Sequence, residues 1–207
     1  MTVIVDYGVG NLFSLTSSFR AIGENTAVSS DKDEIINADR ILLPGVGAFS
    51  DAANKLETSG LKDVVVAAAG SGTPIMGVCL GMQLLFDKSF EFGEFKGLGL
   101  IKGEVRPISD YIPKVLKIPH IGWNKLRIIK KHPLLKYTGE EDYAYFVHSY
   151  CAVGCNESVI ADTEYGANLT AIVAKNNVLG CQFHPEKSGD AGLKILKAFS
   201  ELKRGDL

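Results

Sequence analysis

Long apolar runs are missing from this sequence of 207 residues. The longest one, residues 64–69, is far shorter than the roughly 20 residues that a membrane-spanning helix needs. The N-terminal residues also lack the basic stretch that precedes the apolar core of a secretory signal. We therefore expect neither a membrane span nor a signal peptide.

An excess of basic residues is missing as well. The 22 Lys and Arg against 24 Asp and Glu leave a formal net charge of −2 at pH 7. Binding to a phosphate backbone needs clustered positive charge. The charge balance therefore argues against nucleic acid as the main partner.

Cysteines are few, and their spacing does not indicate a disulfide framework. The chain has four, at Cys79, Cys151, Cys155 and Cys181. A chain of this length with 46% hydrophobic residues can bury a core without disulfides, so we expect reduced thiols in the cytoplasm. Cys151 and Cys155 lie near His148 but lack the second pair of ligands typical of zinc sites. We expect no metal and no cofactor.

Short β-branched runs alternate with helical patterns in the first part of the chain, which is typical of a βα fold. The predicted strands are residues 2–6, 25–28, 40–43 and 74–78. The predicted helices are residues 11–22, 51–58, 61–69 and 80–86, with Asp31 as the N-cap of a further short helix. These strands predict a mostly parallel central sheet flanked by helices.

Strand-like runs dominate after Gly97, and they indicate antiparallel additions to the sheet. They are residues 98–101, 115–118, 125–129, 143–147, 159–163, 169–175 and 178–183. Asn176 and Asn177 suit a tight hairpin because asparagine tolerates positive φ. A final amphipathic helix is predicted over residues 190–203. The absence of repeats and linkers favours one α/β domain.

The strongest chemical signal is Gly77-Val78-Cys79-Leu80-Gly81, where an apolar strand meets a helix. This is the cysteine form of a nucleophile elbow, in which the two glycines permit a sharp turn. The turn exposes the central side chain at the carboxyl edge of the sheet, and the helix N-terminus favours a thiolate. Cys79 is therefore the candidate nucleophile. The alternative is a buried structural cysteine between packing glycines.

A nucleophilic cysteine needs a base, and His184 is the best candidate among the four histidines. Pro185 favours extended backbone at His184, and residues two apart in an extended segment face the same way. Glu186 can then orient the ring of His184 and stabilise its protonated form. The separation of 105 positions leaves open whether His184 reaches Cys79.

Acyl transfer also needs N–H donors for a developing oxyanion. The amide of Leu80, directly after Cys79, is one candidate. A second could come from the glycine-rich loop at residues 44–47, although a simple βα turn would look the same. Gln83 shares the helix face of Cys79 and can line the same pocket, unless it is only solvated.

The segment Gly8-Val9-Gly10-Asn11-Leu12-Phe13 partly matches the dinucleotide-binding pattern. Phe13 stands where that pattern requires its third glycine for close packing. We therefore do not expect a nucleotide site at this turn.

The elbow at Cys79 and the distant His184-Pro185-Glu186 resemble the class I glutamine amidotransferases, over essentially the whole chain. The resemblance implies one such domain over residues 1–207. Five further segments are similar to one branch of the family, the glutaminase subunits of imidazole glycerol phosphate synthases. They are residues 6–11, 43–49, 119–124, 146–150 and 182–188.

The resemblance implies that Cys79, His184 and Glu186 form a triad that releases ammonia from L-glutamine through a thioester. The implied oxyanion donors are the amides of Val46 and Leu80. The residues implied to hold the glutamine are Gly47, Gln83, Glu91, His148, Ser149 and Tyr150. Glu94 competes with Glu91 for this role because the register of the loop is open.

The resemblance also implies a partner, a separate cyclase subunit with a (β/α)₈ barrel that forms a heterodimer with this chain. The cyclase would use the ammonia to make imidazole glycerol phosphate and aminoimidazole carboxamide ribotide in histidine biosynthesis. The interface residues that we expect are Asn11, Trp123 and Lys187. A single tryptophan is, however, at least as often part of a core.

Three other functions stay open on the sequence. A glutaminase of another synthase would keep the triad but should differ at residues 6–11 and 119–124. A cysteine peptidase or esterase-like hydrolase would act without a synthase. A regulatory or dinucleotide-binding module would tolerate alkylation of Cys79.

Overall fold

Strands and helices alternate through the first 84 residues of the computed structural model, which describes residues 1–206. The elements are β1 Thr2–Val5, α1 Leu12–Ala21, β2 Thr26–Ser29, α2 Lys32–Ile36, β3 Arg40–Leu43, α3 Phe49–Thr58, α4 Leu61–Gly70, β4 Ile75–Val78 and α5 Leu80–Leu84. Each predicted element of this part is present. Asp31 caps α2 as predicted, since its Oδ1 accepts the N–H of Glu34 at 2.9 Å. Leu207, the last residue of the predicted domain, lies outside the described residues.

The rest of the chain is mainly β-structure. The elements are β5 Phe86–Ser89, β6 Phe95–Lys96, β7 Ile101–Pro107, β8 His120–Lys125, β9 Arg127–Ile128, β10 Tyr143–His148, β11 Tyr150–Val153, β12 Val159–Glu164, β13 Asn168–Lys175, β14 Val178–Cys181 and α6 Gly189–Glu201. Short 3₁₀ turns cover Ile108–Asp110, Pro133–Leu135 and Pro185–Lys187. Across residues 1–206, no helix has the length and apolar character needed to cross a membrane.

The central sheet has eight strands in the order β2-β1-β3-β4-β14-β13-β12-β9. The first five are parallel, and β13, β12 and β9 continue the sheet antiparallel. The predicted mostly parallel sheet with antiparallel additions is confirmed. Because β3, β4 and β14 are neighbours, their carboxyl ends bring the Pro44 loop, Cys79 and Gln182 to one edge.

Three predicted elements between residues 80 and 118 differ from the structure. The helix at Leu80 ends at Leu84 rather than at residue 86, because Phe86 begins a strand that pairs with β7. The predicted strand 98–101 is wrong except at its end, since residues 98–100 donate to the carbonyls of residues 84–86 that close α5. The predicted strand 115–118 is a turn, and the strand begins at His120 instead.

Two small sheets lie beside the central one, and of their strands β10 was predicted, as residues 143–147, whereas β5, β6, β8 and β11 were missed. The two sheets are the pair β10-β8 and the four strands β11-β7-β5-β6. The predicted hairpin is confirmed, because Lys175 pairs with Val178 and Asn176 has φ of 50°.

Buried apolar side chains fill both faces of the central sheet. In β1, Val3 and Val5 face one cluster, which includes the apolar sides of α2, α3 and α4. Ile4 faces the other cluster, which includes α1 and α6. This alternation follows from the period of two in a strand, and it leaves the carboxyl edge of the sheet free for a site.

Candidate active site

Cys79 lies between β4 and α5 in a backbone conformation that few residues other than glycine adopt. Its φ is 55° and its ψ is −111°. Such a conformation costs about 1–3 kcal/mol and persists only where the surroundings enforce it. Here the N–H of Cys79 donates to the carbonyl of Cys181 in the neighbouring strand at 2.8 Å. The turn predicted from the glycine spacing is therefore present.

The two glycines of the elbow leave no room for a side chain. A β-carbon on Gly81 would lie 1.9 Å from the carbonyl oxygen of Leu43. One on Gly77 would lie 2.5 Å from the carbonyl oxygen of Gly81. The strand, the helix and the preceding loop thus pack backbone against backbone around Cys79.

His184 and Glu186 meet as the extended segment predicts. The Nδ1 of His184 lies 2.9 Å from Oε1 of Glu186, and both side chains are buried. Burial lowers the pKa of His184, but hydrogen bonds and charge interactions with Cys79 and Glu186 outweigh it and raise that pKa to about 10. The raised pKa favours the protonated form of His184 near neutral pH, and His184 and Cys79 line the same cavity.

The backbone of His184 is held by Tyr145 and Ser188, for which the sequence analysis predicted no role. Its N–H donates to the carbonyl of Tyr145 at 3.1 Å. The hydroxyl of Ser188 donates to the carbonyl of His184 at 2.7 Å and accepts the N–H of Tyr145 at 2.9 Å. The contacts of Tyr145 cross between elements, so no local pattern could have identified them, whereas Ser188 lies four residues after His184.

A cavity of about 360 Å³ opens beside Cys79. Its walls contain the residues predicted for the nucleophile, base, oxyanion donors and glutamine contacts, together with Lys187. They are Val46, Gly47, Cys79, Leu80, Gln83, Glu91, His148, Ser149, Tyr150, His184 and Lys187. Glu186 lies behind His184. The fold therefore gathers these residues from distant segments around one pocket.

The glycine-rich loop after β3 packs directly on the start of α5. The hydroxyl of Tyr7 donates to the carbonyl of Pro44 at 2.6 Å. A β-carbon on Gly45 would lie 2.5 Å from the backbone nitrogen of Gly81. This close approach brings Val46 and Leu80 into the same wall of the cavity.

Gln83 and Gln182 lie side by side next to Cys79. The Nε2 of Gln83 donates to the carbonyl of Tyr150 at 3.2 Å and to Oε1 of Gln182 at 3.1 Å. The Nε2 of Gln182 lies 3.8 Å from Sγ of Cys79. The sequence prediction missed Gln182, although residues 182, 184 and 186 alternate along one segment and could have suggested it.

Glu91 and Glu94, the two alternatives for one glutamine contact, occupy different environments. Oε2 of Glu91 accepts the N–H of Phe49 at 2.6 Å, so this carboxylate caps the start of α3 at the cavity. Burial raises the pKa of Glu91, and the Phe49 N–H opposes part of that shift. Glu94 is exposed and pairs with Lys88 at 3.3 Å. The geometry favours Glu91 for a role at the pocket.

His148 forms one end of a buried pair of imidazoles. Its Nδ1 donates to the carbonyl of Tyr150 at 2.8 Å, so its Nε2 faces Nδ1 of His120 at 3.0 Å. Burial lowers the pKa of His148 to about 4, which keeps this ring neutral at pH 7. The ring of His120 stacks on Tyr165 with centroids 4.1 Å apart. His148 is thus a fixed wall of the pocket.

The three predicted interface residues lie in different settings. Asn11 caps α1, since its Oδ1 accepts the N–H of Ser14 at 3.3 Å. Trp123 is 54% exposed on β8 and packs edge-on against Tyr145. Lys187 is exposed at the mouth of the cavity. A larger groove of about 580 Å³ beside Trp123 is lined without any cysteine or histidine.

The other three cysteines are buried, and none of them lines the cavity beside Cys79. All four thiols are free. Burial raises the pKa of Cys151 to about 12, and it also raises the pKa values of Cys155 and Cys181. These thiols are therefore poor nucleophiles at neutral pH. Within residues 1–206, no three His, Cys, Asp or Glu side chains form a group that could hold a metal.

Comparison with known families gives one match that spans nearly the whole chain. The family described as glutamine amidotransferase class-I matches residues 3–201. This range includes every residue of the cavity. It also includes the elbow and the His184 segment.

Two known proteins that are similar to this chain are both described as imidazole glycerol phosphate synthase subunit HisH. The one from Lactococcus lactis is 50% identical over 96% of this chain and 97% of its own length. The one from Caldanaerobacter subterraneus is 48% identical over 98% of each chain. A solved structure described as a glutamine amidotransferase superposes with a TM-score of 0.74 at 19% identity, over 96% of this chain and 98% of the other. At that identity the superposition shows the fold alone.

Proposed function

The chain belongs to the class I glutamine amidotransferases, and we propose on this basis that it is the glutaminase subunit of an imidazole glycerol phosphate synthase. The observation that carries the chemistry is the convergence of Cys79, His184 and the Glu186 carboxylate at one pocket. The identity of about half with synthase subunits, over nearly full length, supports this synthase over other amidotransferases.

The proposed reaction uses Cys79 as the nucleophile toward the side-chain amide carbon of L-glutamine. His184 holds the proton of the pair and transfers it to the departing nitrogen, so that ammonia leaves and a thioester forms. A water molecule, deprotonated by His184, then attacks the thioester to release glutamate and restore Cys79. Glu186 supports the imidazolium throughout, which is consistent with the raised pKa of His184.

The pocket walls supply the remaining roles in this proposal. The amides of Val46 and Leu80 would donate to the oxyanion on the substrate carbon. The close packing of Gly45 on Gly81 supports this pairing, because it places both segments in one wall. Gly47, Gln83, Glu91 and the 148–150 segment would hold the backbone and amide of glutamine.

A cyclase partner would consume the ammonia, since the similar proteins are named as subunits of a synthase. We propose a (β/α)₈ barrel in a heterodimer with this chain, in the cytoplasm. The partner face would include Asn11, Trp123 and Lys187, and the exposed side chains of Phe13 and Ile121 extend it. Phe13 and Gly189 line one shallow cleft, and the indole of Trp123 lies beside Gly189.

Glutamate production tests the proposal directly. It should be slow with this chain alone, rise when the cyclase is added, and rise further when the cyclase holds its nucleotide. Coupling of about 1–3 kcal/mol between the two sites would give a rise of roughly 5- to 150-fold. Ammonium salts, supplied to the complex in parallel, should support the cyclase without glutamine.

The Cys79→Ala variant separates the two halves of the reaction. It should stop the glutamine-fed synthesis and leave the ammonium-fed synthesis intact. Cys151→Ala is the matched control, because it removes a buried thiol away from the pocket and should keep most activity. Full glutamine hydrolysis by the isolated chain, unchanged by the cyclase and nucleotide, would instead indicate an independent amidase.

A further inference from the structure

The chain has two glutamines, and they hydrogen-bond to each other beside the candidate nucleophile. Gln182 is fully buried, with its Nε2 3.8 Å from Sγ of Cys79. We propose that Gln182 is a catalytic residue whose amide N–H donates to the sulfur of Cys79 and stabilises the thiolate. This inference rests on the proposed role of Cys79 as the nucleophile.

The direction of the Gln182 amide follows from its neighbours. An amide can present oxygen or nitrogen, so the hydrogen-bond network must decide which group faces the sulfur. The carbonyl of Tyr150 can only accept, and it therefore turns Nε2 of Gln83 toward itself at 3.2 Å. The same nitrogen donates to Oε1 of Gln182, which leaves Nε2 of Gln182 facing Cys79. Reversing both amides would set the Gln83 oxygen against the Tyr150 oxygen.

Burial strengthens the hydrogen bond from Gln182 to the sulfur relative to the same bond in water. A hydrogen bond to a charged group strengthens where solvent is excluded, and the amide of Gln182 is fully buried. The helix that follows Cys79 has only five residues, so the summed dipole behind the sulfur is small. Side-chain donors must then supply much of the stabilisation. Gln182 places its Nε2 3.8 Å from the sulfur, and His184 lines the same cavity.

The variant Gln182→Glu tests the contribution of the Gln182 side-chain N–H. It keeps an oxygen to accept from Gln83 and replaces the N–H at the sulfur with a second oxygen. At pH 7, iodoacetamide should modify Cys79 about 10- to 100-fold more slowly than in the wild type, because hydrogen bonds to charged groups are worth that much. The rates should converge at high pH, and kcat for glutamine in the cyclase complex should fall more than KM rises.

A second variant and a control distinguish loss of the Gln182 donor from a general loss of structure. Gln182→Met removes both amide groups without adding charge, and it should slow the modification about tenfold. Asn177→Asp makes the same amide-to-carboxylate change near the other end of β14, where Nδ2 of Asn177 donates to the carbonyls of Ala69 and Thr73. It should leave the pH–rate profile of Cys79 unchanged.

Peptide mass spectrometry should follow Cys79 in each variant, with near-ultraviolet circular dichroism to verify folding. A Gln182→Glu pH–rate profile that superposes on the wild-type profile would overturn the proposal. If Gln182→Glu does not fold, the profile of Gln182→Met decides instead. The modification needs no glutamine. A shifted profile in a complex without glutaminase activity would therefore reject the proposed function and keep the role of Gln182 at the sulfur.

Discussion

The elbow at residues 77–81 and the partner face differ in how much change each can absorb. At the elbow, a single added β-carbon would meet backbone atoms at 1.9 or 2.5 Å. On the partner face, Phe13 is 82% exposed and Trp123 is 54% exposed. One region is fixed by packing within the chain, and the other presents apolar side chains that the chain itself leaves uncovered.

This difference teaches where each part of the function resides. The proposed chemistry of Cys79 depends on interactions that the folded chain makes by itself, including those with His184 and Gln182. In the proposed complex, the dependence of the rate on the cyclase would come from surfaces that only a second protein can bury. Variants at the elbow should therefore lower activity with or without the cyclase. Variants on the partner face should lower activity only by weakening the complex with the cyclase.

Apart from loss of the nucleophile Cys79, the largest expected loss of activity follows removal of the base. His184→Ala should lower kcat for glutamine by about 10²- to 10⁴-fold, because proton transfer to the leaving nitrogen would lose its donor. Steady-state glutamate production in the cyclase complex measures it. His132→Ala is the matched control, since His132 caps the turn at Pro133–Leu135 and does not line the cavity beside Cys79. Near-normal activity in His184→Ala would remove His184 from the mechanism.

Glu186→Gln should lower kcat for glutamine less than His184→Ala does, and it should change the pH dependence of activity. Glu186 helps to raise the pKa of His184 to about 10, so its neutral replacement should lower that pKa. Activity that needs the imidazolium is present below the pKa and is lost as pH rises through it. The loss should then begin at lower pH in the variant. NMR titration of the His184 ring measures the shift, and an unchanged titration would contradict the pairing.

Gly81→Ala tests the packing of the elbow. The added carbon would meet the carbonyl of Leu43, and forced overpacking typically costs about 1–3 kcal/mol of unfolding free energy. Gly70→Ala is the control, because Gly70 ends α4 with open space around it and no strained backbone. Urea unfolding of both variants compares them. Equal stability of the two would show that the elbow relaxes more easily than its geometry indicates.

Trp123→Ala should give the smallest of these effects and should separate the two regions most clearly. Loss of an aromatic anchor from an interface typically weakens binding by about tenfold or more. Modification of Cys79 by iodoacetamide in the isolated chain should stay unchanged. Titration calorimetry with the cyclase measures the affinity. Unchanged affinity together with slower modification would place Trp123 in support of the pocket instead of the partner face.

Local patterns predicted the first half of the fold better than the second. The strand 40–43 and the cap at Asp31 depend on neighbours within a few residues, and both are present as predicted. The strand at residues 86–89 was missed because its pairing with β7 overrides the helical pattern that continues from Leu80. Residues 115–118 are apolar enough for a strand, but they have no strand to pair with and form a turn.

The sequence by itself determined the elbow, since the spacing of Gly77, Cys79 and Gly81 forces one kind of turn between strand and helix. It also determined that His184 and Glu186 face the same way, because alternation in an extended segment is a local property. Only the tertiary structure decided that His184 meets Cys79 and that Gln182 faces the sulfur. Those contacts depend on β14 pairing beside β4, a neighbourhood set by burial of both strands in the sheet and not by any short-range rule.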